Sequence, residues 1–253
     1  MKSIRKCLFV VIAVVVLSIA GCKKDRNAPA ELVVMCGSSF VPPNEQLCSE
    51  FTAETGIKVI TTSAGSEDFL PLVKTAQKGD ILITHDPYLD YVSDAGALGD
   101  HVHVGFVAPV VAVQKGNPKN IRSIEDMTGE GIRVALSDPK YSTCGEMVFA
   151  LMEKKGIKEA MMKNVGVRLT KGHGTLGTLL KTHAVDAVIM WNGVANTFGD
   201  SLEIVPTPYE YDKEIHVHIM GLSYSKHPEE VRQFIEFAHR RGKAIFGQYG
   251  YVK

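Results

Sequence analysis

The chain lacks an excess of either charge: its 253 residues carry 28 Lys and Arg against 28 Asp and Glu. A nucleic-acid partner calls for a basic face, so none is expected. It also lacks any C-x-x-C spacing among its five cysteines, which argues against a zinc knuckle or a redox pair. There is no internal repeat. Its one long apolar run, Leu8 to Ala20, is too short to cross a bilayer comfortably.

That run follows a basic head of Lys2, Arg5 and Lys6 and precedes Ile19-Ala20-Gly21-Cys22. The layout is that of a secretory signal, and the small-small-Cys ending is like a bacterial lipobox. The expectation is a signal over residues 1–21, a lipidated Cys22, and a short tether over residues 22–30. Lipidation would hold the protein at a membrane without a spanning helix, on the periplasmic side or at the cell surface. Taking the three signal basics from 28 leaves 25 against 28 acidic residues. Cys36, Cys48 and Cys144 remain, an odd number, so at least one is expected unpaired.

Beyond residue 30, strand-like apolar runs alternate with helix-like segments. "ELVVM", "IKVITTS" and "DILITHD" read as strands separated by the helices "NEQLCSEFTAETG" and "EDFLPLVKTAQKG". That βαβαβ order implies parallel strands under covering helices. "HVGFVAPVVAVQKG" reads as a crossing to a second α/β series. In it, "GIRVALSD", "VGVRL" and "VDAVIMW" are strands, and "CGEMVFALMEKKG" and "GTLGTLLKTHA" are helices. "EIHVHIMGLSYS" is the return crossing, and a closing helix carries Val231, Phe234, Ile235 and Ala238 on one stripe. The expected fold is α/β, two-lobed, with two crossover strands: residues 31–105 with 212–253 in lobe I, and 106–211 in lobe II.

Four strand-to-helix junctions are rich in Gly, Ser or Thr: "CGSSF" at 36–40, "SAGSED" at 63–68, "DPKYSTCGE" at 138–146 and "KGHGT" at 171–175. Any one reads most simply as a helix cap. Four at the carboxyl ends of strands in two lobes read as a binding site. First-turn amides and hydroxyls there would enclose an oxyanion without any Arg or Lys. Glu67, Asp68 and Glu146 beside these loops could supply an acceptor for a protonated oxyanion, and read more simply as solvent-facing acids at helix N-termini.

These stretches, with "DAVIMWNGVA" and the terminal "AIFGQYGY", resemble the periplasmic molybdate-binding proteins of ABC transporters, within the type II periplasmic binding fold. The resemblance covers nearly the whole chain from residue 31. It implies a monomeric solute-binding protein without cofactor, with an oxyanion ligand and a transporter permease as partners. Residue by residue, it places Ser39, with Ser38 beside it, and Ser66, with Gly65, as ligand serines. It places Cys144, with Gly145, and His173 where backbone N–H groups serve the anion. Trp191 stands where the family usually has a tyrosine hydroxyl. An aspartate ligand used by archaeal tungstate- and molybdate-binding relatives is missing from "STCG", so the implied ligand is a tetrahedral molybdate or tungstate.

Other readings compete. A phosphate-like anion or sulfate would suit the same donors, and His85, at a strand's carboxyl end, could join His173 and a carboxylate on a transition metal. His101 with His103, and His216 with His218, could gather four imidazoles on a transition metal if the crossing strands pair; a structural histidine ladder near the hinge is the simpler reading. Cys144 and His173 could be drawn as a nucleophile and base, which would make the chain an enzyme; the resemblance implies that it is not.

Overall fold

The structure is a computed structural model describing residues 31–252. The expected signal, lipidated Cys22 and tether lie outside the described residues. Among the described residues no helix is long and apolar enough to cross a membrane.

The first sheet has the order β2-β1-β3-β10-β4, from strands Glu31–Gly37 (β1), Lys58–Ala64 (β2), Ile81–His85 (β3), Leu98–Val107 (β4) and Ile215–Leu222 (β10). β1 runs parallel to β2 and β3, while β10 is antiparallel to both β3 and β4. Leu32, Val34 and Cys36 of β1 pack into the larger core, and Met35 packs with Phe69 and Val73 on the opposite face. A strand covered on both faces reads as a continuous apolar run, which is why "ELVVM" was legible. Edge strand β2 is largely exposed, with Lys58 and its threonines meeting solvent.

The second sheet has the order β7-β6-β8-β5-β9, from Pro109–Gln114 (β5), Val134–Ser137 (β6), Leu169–Thr170 (β7), Ala187–Trp191 (β8) and Leu202–Ile204 (β9). Its parallel members β6, β7 and β8 and the first sheet's β1, β2 and β3 end at loops that face one another. Four helices leave those loops: Val41–Thr55 (α1), Ser66–Pro71 (α2), Thr143–Lys154 (α4) and His173–Lys181 (α6). Between them come Tyr88–Asp94 (α3) and Lys158–Val165 (α5), and then Asn192–Thr197 (α7) and Pro228–Gln248 (α8).

Three structural details depart from the sequence reading. α2 is short because Pro71 lacks an amide proton, and the chain continues as a π-turn over Leu72–Ala76. The strand read from "VGVRL" is reduced to two residues, since Met161 and Val165 bury an i, i+4 pair that holds Val165 in α5. The chain crosses between sheets at Ala108, and the C-terminal tail, read as part of lobe I, also reaches α7. There Asn192 Nδ2 donates to the carbonyls of Gly250 and Val252, at 2.9 and 3.1 Å. α8 lays the expected stripe on the core, and Phe234 and Phe237 meet Phe51 of α1 edge-on at 4.9 and 5.6 Å.

Candidate functional site

Where the two sets of strand ends meet there is a cavity of about 40 Å³, far below the range that holds organic ligands. The first sheet's loops bring Ser38, Ser39, Gly65, Ser66 and His85 to it; the second's bring His173 and Trp191. Residues separated by up to 153 positions in sequence thus share one small space.

The prolines explain the state of Ser38 and Ser39. Neither hydroxyl caps a helix: the turn over Ser38–Phe40 and α1 both begin without a side-chain cap bond. Pro42 and Pro43 occupy the first turn of α1, and having no N–H they leave little for a cap to serve. The reading of these serines as caps is therefore corrected, and their hydroxyls remain at the cavity. Tyr251 OH donates to the Ser39 carbonyl, so the C-terminal tail fixes this loop.

Ser66 is buried, and its Oγ accepts from Thr84 Oγ1 at 2.6 Å. That leaves its own proton to donate into the cavity. Glu67, expected in solvent, instead folds back over Gly65 into the space that a Cβ would fill. Its Oε1 is buried, lies 3.2 Å from Lys171 Nζ, and makes no hydrogen bond. Lys171 also reaches both Asp68 oxygens at 3.0 Å. This bridge joins the α2 loop to the α6 loop beside the cavity, whose lining includes Glu67 and Lys171.

On the facing side, Ser142 is the N-cap of α4 and its Oγ accepts from Gly145 N at 3.3 Å. Ser142 and Thr143 line the cavity, whereas Cys144 and Gly145 stand behind them. Gly145 packs on the backbone of Ser137–Pro139, where a Cβ would come within 2.7 Å of the Ser137 carbonyl oxygen. The Cys144 thiol is fully buried and free, and burial pushes its pKa up. His173 hydrogen-bonds Trp191 and Ser142 rather than this thiol, so the nucleophile–base pair is not formed.

His173 opens α6 with its ring against the Trp191 indole. Its Nδ1 accepts the Trp191 backbone N–H at 3.4 Å, which assigns the proton to Nε2, 3.5 Å from Ser142 Oγ. Burial, with His85 nearby, lowers the His173 pKa to about 3; burial likewise lowers that of His85 to about 4. Both imidazoles are therefore neutral at pH 7. His85 sits edge-on to Phe40, Tyr88 and Trp191. Tyr88, Tyr141, Ser142, Thr143 and Lys171 were not singled out from sequence, although all but Tyr88 lie inside junctions that were.

The chain is 25% identical over 232 residues to the molybdate-binding protein ModA of Mycobacterium tuberculosis, spanning 88% of this chain and 84% of that one. The Azotobacter vinelandii periplasmic molybdate-binding protein superposes with a TM-score of 0.73 at 16% identity, over 88% of this chain and 99% of that one. The sulfate-binding protein SubI of M. tuberculosis does so with a TM-score of 0.70 at 19% identity, over 88% and 86%. Identities this low establish the shared two-lobed fold and leave the ligand to the site's own chemistry. The match to the bacterial extracellular solute-binding proteins runs over residues 32–252, and the chain belongs to that family of binding proteins, not to an enzyme family.

Proposed function

We propose that the cavity holds a tetrahedral oxyanion, molybdate or tungstate, for delivery to an ABC importer. The carrying observation is that hydroxyls from both lobes and the first turns of α4 and α6 converge on one space the size of a small ion. Ser39 and Ser66 donate from one side. The amides of Cys144 and His173 belong to helix first turns, which have no intrahelical acceptor and carry partial positive charge. The neutral imidazole of His173 offers Nε2–H. The resemblance to the mycobacterial molybdate-binding protein supports the choice of anion.

The reading extends to the chain as a whole. The two lobes divide near residues 105 and 212, with β4 of lobe I running on to Val107 before the crossing at Ala108. Lipid on Cys22 tethers a monomer outside the cytoplasmic membrane, and the closed lobes are what the permease meets. Titration with molybdate and tungstate is expected to raise the melting temperature and quench Trp191, the single tryptophan, which lines the cavity. Absence of both responses at millimolar anion would overturn the reading.

One observation favours a second ligand class. The buried Oε1 of Glu67, which the Lys171 ammonium approaches to 3.2 Å, has no other polar partner and is an acceptor for the proton of an anion such as hydrogen phosphate. A thermal-shift panel of molybdate, tungstate, sulfate and phosphate at two pH values separates the two. A response to phosphate alone that vanishes in Glu67→Gln selects the second.

A further inference from the structure

The pairing of β4 with β10 assembles a group of side chains that the oxyanion site does not use. His218 lies opposite His103 across a register shift, and His216 stands two residues earlier in β10. Asp86 follows the last residue of β3, and its backbone N–H donates to the His216 carbonyl at 3.0 Å. The Asp86 carboxylate then receives His216 Nδ1 on Oδ2 and His218 Nε2 on Oδ1, each at 2.9 Å.

We propose that Asp86, His216 and His218 form a site for a divalent transition metal, of the zinc, cobalt and nickel kind, beside the crossing between lobes. One ligand atom from each residue lies within 4.8 Å of the other two. Two imidazoles and a carboxylate are a donor set that suits these ions. Tetrahedral ligands about 2.1 Å from a metal sit roughly 3.4 Å apart, so the two 2.9 Å nitrogen–oxygen contacts need open only slightly to admit it. The metal enters between groups that already face one another.

Proton balance is met within the group. A metal on His216 Nδ1 shifts that ring's proton to Nε2, and His216 is partly exposed to solvent. A metal on His218 Nε2 shifts the proton to Nδ1, which is buried and without a partner. The ring of His103, whose Nε2 donates to the Gly105 carbonyl at 2.8 Å, has its centroid 6.0 Å from that of His218.

Access is also provided. Asp86 and His216 form part of the wall of a second cavity, of about 670 Å³. Asp90, Glu146, Glu210 and Asp212 share that wall and outnumber Lys154 and Lys213. A concave surface of net negative charge concentrates cations. Asp86 adjoins His85 of the oxyanion cavity, and His216 is the second residue of the return strand β10.

The test uses protein without a histidine tag and without added oxyanion, so its outcome is independent of the proposed anion function. Zinc, cobalt or nickel at micromolar concentration is expected to raise the melting temperature by several degrees, with no effect from magnesium or calcium. Cobalt is expected to give visible ligand-field absorption. His216→Ala, at a half-exposed position, and Asp86→Asn are each expected to weaken zinc binding at least tenfold. In the wild-type protein, zinc should protect His216 from diethyl pyrocarbonate, mapped by mass spectrometry. No metal response, an undiminished response in folded variants, or unprotected His216 would each overturn the site.

Discussion

The backbone N–H of Trp191 donates to Nδ1 of His173, and the two rings stack with centroids 5.5 Å apart and planes 28° from parallel. One contact thereby fixes the tautomer of a cavity imidazole and seats the only tryptophan against it. Because the imidazole is buried, its neutral form is the folded form, and that has a consequence for stability. His173 and His85 have folded pKa values near 3 and 4, below the ordinary value near 6.5. Between those limits the unfolded chain binds more protons, so stability is full above pH 6.5 and falls as the pH drops toward 4. At pH 5 the loss from His85 alone is about 2 kcal/mol. Melting temperature against pH should show this slope, and His173→Gln should flatten it. An unchanged slope in a folded variant would remove His173 from the account.

Ser38 and Ser39 are neighbours that the proposed function tells apart. With no cap bond to lose, Ser39→Ala should leave the apo melting temperature nearly unchanged. A hydrogen bond to a charged partner contributes about 1.5–3 kcal/mol, so anion affinity should fall roughly tenfold to a hundredfold. Ser38→Ala, at the more exposed position, should stay within about threefold. Isothermal titration with molybdate decides it, and equal effects from both serines would refute the assignment. Ser66→Ala should cost apo stability as well, because Thr84 Oγ1 would lose its acceptor.

Lys171 ties the α2 loop to the α6 loop through Asp68 and Glu67, and these bonds hold its pKa above the usual lysine value. The partners are solvent-exposed on one side, so the bridge should be modest and salt-sensitive. Lys171→Met should speed ligand release about twofold to fivefold, with a smaller effect on association. The difference should shrink in 0.5 M salt. Stopped-flow tryptophan fluorescence measures both rates; a release rate equal to wild type at low salt would show that the bridge does not hold the lobes closed.

These residues also show where the sequence was readable and where it was not. Buried parallel strands and the α8 stripe carry their period in composition, so β1, β3, β8 and α8 could be placed within a few residues. The four junctions were visible because helix starts concentrate Gly, Ser and Thr. What composition does not encode is the direction of a side chain after a turn. Glu67 folds inward over Gly65, where an acid at a helix start ordinarily faces water. Lys171 closes a mouth formed by two distant loops, and Asp86 meets His216 and His218 only because β3 and β10 are paired. The Lys171 and Asp86 contacts join residues more than 100 positions apart in sequence, which no local pattern reports.

Cys144 provides a last separation of backbone from side chain. Its amide belongs to the first turn of α4, while its thiol is buried in the core with Cys36 and Cys48, all three free. Burial raises all three thiol pKa values, that of Cys48 to about 12, so thiolate is scarce and shielded at pH 8. Maleimide should leave all three unlabelled in the native protein and label all three once it is unfolded, as read by peptide mass spectrometry. Cys144→Ser retains the amide, so anion affinity should stay within about threefold. Stability should fall by about 1–3 kcal/mol, because a buried hydroxyl without a partner replaces the thiol. Rapid native labelling of Cys144 would mean the thiol reaches the cavity. A large loss of affinity in a folded Cys144→Ser protein would move its contribution from the backbone to the side chain.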